Sequence, residues 1–463
     1  MSLTNAPDPE IRKAVVRQDL DNVLHPIVQH RALEEKQMVV VGGQGSTIVD
    51  ADGTEYLDGM AGLWCVNIGY GRQELADVAA EQMRALAYYP HTGMNVPAAR
   101  LAEQINALVG GGHHTYYVNS GSEANEAGFK IARQYQRHER PGEARFKTIS
   151  RYYAYHGTTI ATMAAGGMGE RKAKFEPIGD AGNIHVAAPT CYRCPFGLEY
   201  PTCQLACVKN MENTIIGEGP DSVAEILIEP IMSAVGIAVP PDEYLPEVEK
   251  LCRKYGILLH IDEVINGFGR TGKWFAHQHY GVSPDIIAVA KGISSAYLPI
   301  AATIVKNSVF ESFLGEVAAN RQVMQVNTYG GHPAAAAVAS RNIEIMHEEK
   351  LPERAADVGK YLMDGLKTLL RHPTVGDVRG KGLLIGIEMV KDKASKAQAD
   401  AATITALVDH CRESGVIIGR SGGGRNYSNT LTLSPPLVIT RAECDRIVDT
   451  LDRAITAHAA RQA

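Results

Sequence analysis

The sequence lacks the features that mark membrane proteins, nucleic-acid-binding proteins and repeat proteins. None of its 463 residues belongs to an apolar run near the roughly 18 residues that span a bilayer. Its 46 Lys and Arg residues are interspersed with 52 Asp and Glu residues, so no basic surface for a nucleic acid is expected. Internal repeats and low-complexity linkers are absent from the pattern. We therefore expect a globular protein that binds neither membranes nor nucleic acids.

Marks of secretion are lacking as well. The first residues are polar and acidic, without the apolar core of a signal peptide or the Arg and Ser bias of a transit peptide. The eight cysteines are clustered instead of framing a small disulfide-bonded fold, which fits a reducing compartment. We expect the protein to be cytoplasmic.

The chain divides by pattern into three parts, with a hydrophobic content of 45% that can form a large core. Residues 1–70 hold a polar arm and a predicted hairpin that turns at Asp52–Gly53. Residues 71–332 alternate strand-like and helix-like segments, as a mostly parallel sheet requires. Residues 333–463 begin with a helix opened by Pro333 and end with one that Thr440 and Glu443 cap. We expect the first and last parts to form one smaller domain.

Two chemically reactive residues each close an apolar, strand-like segment. Asp262 ends the run 257–262, and Lys291 ends the run 285–291. Parallel strands would direct the carboxylate and the amine into one crevice. Pyridoxal phosphate needs such a pair, because its aldehyde forms a Schiff base with an amine and its ring nitrogen is kept protonated by a carboxylate.

A turn of Ser120, Gly121 and Ser122 joins another strand, 114–118, to a helix predicted to extend to Arg137. Free backbone N–H groups and the helix dipole at such a turn favour a phosphate. Ser122 could also simply cap the helix, and the two roles are compatible.

Two further strand-like runs lead to polar or aromatic residues. Residues 146–150 precede Tyr155, whose ring could stack on a pyridine or pack within a loop. Residues 222–228 end at Glu229. Four candidate strands thus point polar side chains toward the edge where open α/β sheets bind ligands.

Over nearly its whole length the chain resembles the class III pyridoxal-phosphate aminotransferases of the omega, or amine–pyruvate, type. The stretch 258–272 and the residues 290–292 match the family pattern in residue types and spacing, and so do 61–67, 155–157 and 328–333. The resemblance implies an α/β protein of PLP-dependent transferase fold type I. Its large domain would contain a mostly parallel, seven-stranded sheet, and both chain ends would form a smaller α+β domain.

The resemblance also implies roles for individual residues. Lys291 would bind the cofactor covalently and Asp262 would pair with the ring nitrogen. Gly121 and Ser122 would hold the phosphate. The expected cofactor-binding residues are Ser120, Gly121, Ser122, Tyr155, His156, Glu229, Asp262, Val264, Lys291 and Thr328.

Within this set, Tyr155 and Val264 would cover the two ring faces, and Glu229 would support the ring side. Thr328 would reach the phosphate of a second subunit. A homodimer or a dimer of dimers with shared active sites is therefore expected.

Two motifs permit other interpretations. Residues 267–272 fit G-x-G-x-x-G, but residues 262–266 stand between the apolar run and the glycines and no apolar-faced helix follows, which disfavours a nicotinamide or flavin site. Cys191, Cys194, Cys203 and Cys207 have spacings that could hold zinc or an iron–sulfur cluster. The rigid, apolar loop between the two pairs argues against a metal, and we expect none.

The substrate is defined less well than the cofactor. Trp64 and Tyr89 are candidates for the pocket wall. Arg420 or Arg425 would grip the carboxylate of the acceptor; Arg420 is preferred because it follows the apolar run 416–418, and a solvated loop charge is the alternative for both.

The loop 191–207 and the Trp64 segment most resemble taurine–pyruvate aminotransferases. We therefore expect transfer of an amino group from taurine to pyruvate, giving alanine, with ping-pong kinetics. General amine–pyruvate and β-alanine–pyruvate aminotransferases are the alternatives, followed by a decarboxylase or aminomutase of the same fold.

Overall fold

The computed structural model describes residues 9–35, 37–179, 182–421 and 428–462. Its strands are β1 Val40–Gln44, β2 Thr47–Asp50, β3 Glu55–Asp58, β4 His113–Val118, β5 Lys147–Arg151, β6 Asn183–Val186, β7 Val223–Ile228, β8 Leu258–Asp262, β9 Ile286–Val289, β10 Ala301–Lys306, β11 Val375–Lys381, β12 Leu384–Met389, β13 Val416–Ile417, β14 Gly419–Arg420 and β15 Thr430–Leu433.

The helices are α1 Pro9–Asn22, α2 His30–Glu35, α3 Ala61–Trp64, α4 Gln73–Ala85, α5 Val96–Leu108, α6 Gly121–Glu139, α7 Ile160–Ala165, α8 Gly169–Lys172, α9 Ala206–Glu218, α10 Tyr244–Tyr255, α11 Asn307–Phe310, α12 Pro333–Glu348, α13 Leu351–Lys367, α14 Ala401–Glu413 and α15 Arg441–Gln462. Among the residues described, no helix is long and apolar enough to cross a membrane.

A seven-stranded sheet forms the centre of the molecule, in the order β4-β10-β9-β8-β7-β5-β6. Four of its adjacent pairs are parallel, and β10 runs antiparallel to both of its neighbours. β7 and β9 are buried throughout, as strands covered on both faces are. The single charge within β7, Glu225, is satisfied by Thr148 and His260. The predicted mostly parallel sheet is confirmed.

The N-terminal and C-terminal parts of the chain form two smaller sheets, one of which contains strands from both parts. In the order β1-β2-β3-β13, the C-terminal β13 pairs with β3 in parallel. The predicted hairpin is confirmed, because β2 pairs antiparallel with β3 across Asp52–Gly53. The other sheet, β11-β12-β15-β14, lies within the C-terminal part. A smaller unit built from both ends is thus present, while the domain boundaries at residues 70 and 332 stay a prediction.

Helix ends follow the local sequence signals. Pro333 occupies the first turn of α12, as predicted. At α15 the Glu443 N–H donates to Thr440 Oγ1 at 3.2 Å, and Glu443 Oε2 accepts from the Thr440 N–H at 2.7 Å. This reciprocal pair is the predicted capping box. The apolar face of α15, including Ile447, Leu451 and Ile455, is buried in the largest core cluster.

Candidate active site

A cavity lies at the carboxyl ends of the parallel strands. It encloses about 500 Å³ of open space including its mouth. Strands β7, β8 and β9 and the first turn of α6 supply its walls. The predicted site residues that line it are Gly121, Ser122, Tyr155, His156, Glu229, Asp262, Val264 and Lys291.

Asp262 is the last residue of β8 and is buried in the cavity wall. Its Oδ2 accepts from Asn125 Nδ2 at 2.9 Å and lies 2.8 Å from His156 Nδ1. Its Oδ1 accepts from the Val264 N–H at 3.0 Å. Burial alone would raise the pKa of this carboxyl, but these contacts outweigh burial and hold the pKa of Asp262 below its usual value. The carboxylate is therefore ionised at neutral pH.

Asn125 is a site residue that the sequence analysis missed. It lines the cavity and donates both to Asp262 and to the His156 carbonyl oxygen, the latter at 2.8 Å. Its buried neighbours on α6 are the small residues Ala124, Ala127 and Gly128. An amide within a buried stripe of small residues is a signal for a polar partner, because a buried amide needs hydrogen bonds.

Two buried polar atoms in the cavity wall lack a partner among the described residues. They are Asn125 Oδ1 and His156 Nε2. An unpaired buried polar atom costs about 1–3 kcal/mol. A bound polar group that reached these atoms would recover that free energy.

Lys291 lies two residues beyond the end of β9 and begins a short 3₁₀ turn, Lys291–Ile293. The strand was predicted to continue to Lys291, but it ends at Val289 because the Ile293 N–H bonds back to the Ala290 carbonyl. Lys291 has φ = 50°, in the left-handed region. A side chain held there costs on the order of 1–3 kcal/mol and is found most often at functional sites.

The surroundings of Lys291 change its ionisation. Burial lowers the pKa of its ammonium group, although the nearby Cys65, Asp262 and Glu229 act in the opposite direction. A larger fraction of Lys291 is therefore neutral, and nucleophilic, at neutral pH than of an exposed lysine.

The first turn of α6 forms the opposite end of the cavity. Its cap is Ser120, whose Oγ accepts from the Glu123 N–H at 3.2 Å, and not Ser122. Ser122 Oγ instead accepts from the Thr158 N–H at 3.1 Å. A Cβ on Gly121 would lie 2.8 Å from Val264 Cγ1, so only glycine fits there without movement. This narrow helix N-terminus suits an anion.

Glu229 follows β7 and is almost fully buried. Its carboxylate oxygens accept from the N–H groups of Tyr155 and Ser233, both at 3.1 Å. Burial raises the pKa of Glu229, against the influence of His156 and Arg151. Glu229 therefore positions the loop that carries Tyr155.

Trp64, Tyr89 and Thr328 are not among the residues that line the cavity of this single chain. Trp64 packs in a small cluster with Ile265, which does line it. Tyr89 is 53% exposed. Thr328 is also exposed, and its carbonyl oxygen accepts from Tyr88 Oη at 2.8 Å.

The two arginines expected at the acceptor carboxylate have different outcomes. Arg420 ends β14, is exposed, and donates from Nη1 to Thr405 Oγ1 on α14 at 3.0 Å. The structure therefore directs it toward α14 and does not bring it to the cavity. Arg425 lies outside the described residues. The predicted roles of these two arginines stay predictions, as do those of Trp64, Tyr89 and Thr328.

The structure also describes the two motifs that permit other interpretations, the glycine-rich segment 267–272 and the four cysteines of the loop 191–207. Arg270, within the glycine-rich segment 267–272, is fully buried and donates to Asn67 Oδ1 at 2.7 Å and to the Pro435 carbonyl. No α-helix begins in that segment. The four cysteines of the loop 191–207 line one small cavity as free thiols. Among described residues, no group of three or more His, Cys, Asp or Glu is arranged to hold a metal.

Comparison with known proteins agrees with this geometry. The model of the class III aminotransferase family matches residues 28–455. YhxA of Bacillus subtilis (strain 168), an uncharacterized aminotransferase, is 47% identical over 91% of this chain and 92% of its own. The taurine–pyruvate aminotransferase of Bilophila wadsworthia (strain 3_1_6) is 40% identical over 96% of this chain and 97% of its own.

Solved structures show the same fold. The crystal structure of an aminotransferase from Bacillus anthracis superposes with a TM-score of 0.94 at 44% identity and covers 98% of this chain and 100% of that one. The predicted fold type I architecture is thereby confirmed. The chain belongs to the class III aminotransferases, which are pyridoxal 5'-phosphate-dependent enzymes.

Proposed function

We propose that this aminotransferase moves the amino group of an omega-amino donor, with taurine preferred, to pyruvate, giving alanine and an aldehyde. The observation that carries the proposal is the convergence of the Lys291 amine and the Asp262 carboxylate on one cavity. The taurine–pyruvate aminotransferase of Bilophila wadsworthia supports taurine and pyruvate as the substrates.

The residues of the cavity fit pyridoxal phosphate. The N-terminus of α6, with Gly121 close to Val264, suits the phosphate, and the unpaired Asn125 Oδ1 and His156 Nε2 are available to a polar ligand. In this proposal Ser120, Gly121 and Ser122 hold the phosphate, and Tyr155 and Val264 enclose the ring. His156 orients Asp262, and Glu229 supports the ring side.

Chemistry in the cavity would depend on two residues. When bound, pyridoxal phosphate supplies an aldehyde for the amino group and a protonated ring that withdraws electrons from the reacting carbon. Lys291 Nζ would hold the aldehyde in the resting enzyme and, once displaced, accept the proton from the amino-bearing carbon of the substrate. The lowered pKa of Lys291 favours both roles, because the neutral amine is the reactive form. Ionised Asp262 would keep the proton on the ring nitrogen.

We propose further that the enzyme is a homodimer or a dimer of dimers in the cytoplasm, with Thr328 reaching the phosphate of its partner. Support comes from the exposed apolar side chains that flank Thr328 in the sequence, Met324, Val326 and Tyr329. Light scattering gives the mass in solution. A monomer with full activity would contradict the shared site.

The first experiment is a half-reaction of the holoenzyme followed by absorbance. Taurine alone should bleach the band of the lysine-bound cofactor, and pyruvate added afterwards should restore it and yield one alanine per site. Lys291→Ala should show neither change, whereas Lys367→Ala, an exposed lysine on α13, should behave as the wild type.

Other outcomes separate the alternatives. If β-alanine or a simple amine bleached the band much faster than taurine, the protein would still be an aminotransferase, but its preferred donor would not be taurine. Release of carbon dioxide, or isomerisation without an acceptor, would indicate a decarboxylase or an aminomutase. Normal turnover of Lys291→Ala would overturn the proposal.

A further inference from the structure

The chain that begins at Lys291 follows an unusual backbone path. Lys291, Ser295 and Ala296 have φ values of 50°, 48° and 63°, so three side chains within residues 291–296 occupy the left-handed region. Such conformations cost free energy and persist only where the surrounding contacts hold them. The contacts that hold this segment therefore also determine where Lys291 stands.

One buried amide makes three hydrogen bonds to this segment. Asn342 lies on α12 and is fully buried. Its Nδ2 donates to the carbonyl oxygens of Gly292 and Ile293, at 3.0 and 2.9 Å. Its Oδ1 accepts from Ser295 Oγ at 2.7 Å. A carboxylate or an apolar side chain at position 342 could not make the same three bonds.

The N-terminal part of the chain holds the same segment. Ser295 Oγ accepts from the Ile68 N–H at 3.2 Å. A Cβ on Gly292 would lie 2.4 Å from Asn67 Nδ2, so the backbone packs directly against that side chain. The turn therefore has little room to move as long as Asn342 and Ser295 keep their bonds.

The direction of the Lys291 side chain depends on this backbone. Among the residues that the structure describes, Lys291 Nζ has no hydrogen-bond or ion-pair partner. Lys291 nevertheless lines the cavity together with Asp262. Asn342 is not one of the described residues that line the cavity, so it can affect the amine only through the turn.

We infer that Asn342 is a positioning residue, which together with Ser295 fixes the turn after β9 and so directs the Lys291 amine into the cavity. This inference rests on the proposed function, because the direction of Lys291 matters only if its amine binds the cofactor. A reacting group displaced by about 1 Å can lose on the order of 100-fold in rate, so the position of the turn has a measurable effect.

The test measures how fast the apoenzyme forms the absorbance band of the lysine-bound cofactor after pyridoxal phosphate is added. Asn342→Ala should slow this step about 10- to 100-fold. Asn342→Asp keeps the shape but replaces the donor nitrogen with an acceptor oxygen, and it should be at least as slow. Ser295→Ala loses one of the three bonds and should lie between Asn342→Ala and the wild type. If Asn342→Ala does not fold, Ser295→Ala replaces it in each comparison.

Asn429→Ala is the matched control. Asn429 is also a fully buried amide, and its Nδ2 donates to Glu388 Oε1 at 2.7 Å and to the Met389 carbonyl of the C-terminal sheet. Loss of these bonds should lower the melting temperature, as Asn342→Ala does. The rate of band formation should stay that of the wild type.

A second measurement separates positioning of Lys291 from general support of the cavity. Lys291→Ala cannot form the covalent bond, and equilibrium dialysis gives its dissociation constant for pyridoxal phosphate. Adding Asn342→Ala to this variant should leave the constant unchanged within about 2-fold, because the amide acts through the lysine. In the chain that keeps Lys291, the same substitution should weaken cofactor binding, because the displaced amine forms the Schiff base less favourably.

Two results would overturn the inference and leave the proposed function intact. Band formation at the wild-type rate in Asn342→Ala would mean that the turn holds without the amide. An equal loss of cofactor affinity with and without Lys291 would mean that Asn342 supports the whole cavity. Absence of any such band from the wild-type protein would instead refute the proposed function.

Discussion

The carboxyl group of Asp262 stays ionised because His156, Val264 and Asn125 contact it and lower its pKa. Replacing it with Asn preserves its shape and most of its hydrogen bonds but removes the charge. We predict that Asp262→Asn still binds the cofactor and loses at least roughly 100-fold in kcat, the usual scale of a proton-handling group. Steady-state kinetics at saturating cofactor measures this loss.

Asp285 offers the matched control for that variant. It lies just before β9, at the opposite end of the sheet from the cavity, and accepts from Arg253 Nη1 at 2.6 Å. Asp285→Asn should lower the melting temperature and leave kcat nearly unchanged. A normal kcat for Asp262→Asn would show that the carboxylate charge is dispensable.

At the residue scale, sequence reasoning identified side chains that follow strands and missed those that arrive from elsewhere. Asp262, Glu229 and Lys291 each follow an apolar run, so their place at the strand ends could be predicted. Asn125 lies on a helix, and its approach to Asp262 depends on how α6 packs against the sheet. The packing of a helix against the sheet could not be predicted from the sequence alone.

At the scale of elements, the first turn of α6 lies close to the segment after β8, and this contact sets the width of the proposed anion site. We predict that Gly121→Ala weakens cofactor binding, because its Cβ would lie 2.8 Å from Val264 Cγ1. Adding Val264→Ala removes the obstructing methyl groups and should restore much of the lost affinity. Titration of the apoenzyme with cofactor, followed by absorbance, measures both constants.

The single variant Val264→Ala is the reference for this pair, because it reports the loss of the Val264 methyl groups alone. If the double variant binds no better than Gly121→Ala, the close approach does not limit the site. In that case Gly121→Ala would weaken cofactor binding through a change in the backbone of α6.

Strands were predicted where their sequences are long apolar runs, as for β7, β8 and β9. β10 was not identified, although it lies between β4 and β9, next to the edge strand of the seven-stranded sheet. Its residues resemble those of a short buried helix, and only its pairing with β4 and β9 determines the conformation.

At the scale of the whole molecule, a buried ion cluster joins the loop 191–207 to the C-terminal sheet. Glu388 on β12 is 1% exposed. It pairs with Arg193 of the loop and accepts from Arg379 Nη2 of β11 at 2.6 Å. Burial would raise the pKa of Glu388, but the two guanidinium groups outweigh it and lower the pKa.

We predict that Glu388→Gln destabilises the protein by roughly 3 kcal/mol at pH 7, because Arg193 loses its carboxylate partner and Arg379 keeps only Asp377. A carboxyl with a lowered pKa in the folded state stabilises the protein above its unfolded pKa of about 4.3. That contribution disappears as the pH falls through the folded value. The deficit of the variant should therefore shrink in acid, which melting temperatures across pH would reveal.

The exposed Asp364 pairs with Lys360 on α13, and Asp364→Asn should change the melting temperature little at any pH. A deficit of Glu388→Gln that is constant down to pH 3 would contradict the assigned charge role.

The pairing of β4 also affects folding during synthesis on the ribosome. Among the described strands, β4 is at the edge of its sheet and pairs only with β10, which ends 188 residues after β4, at Lys306. At ribosomal speeds of about 5–20 residues per second, β4 waits on the order of 10–40 s for its partner. During that interval the nascent chain carries an unpaired strand just before the N-terminus of α6. The yield of soluble enzyme should therefore respond to chaperone supply and to slow codons before residue 301.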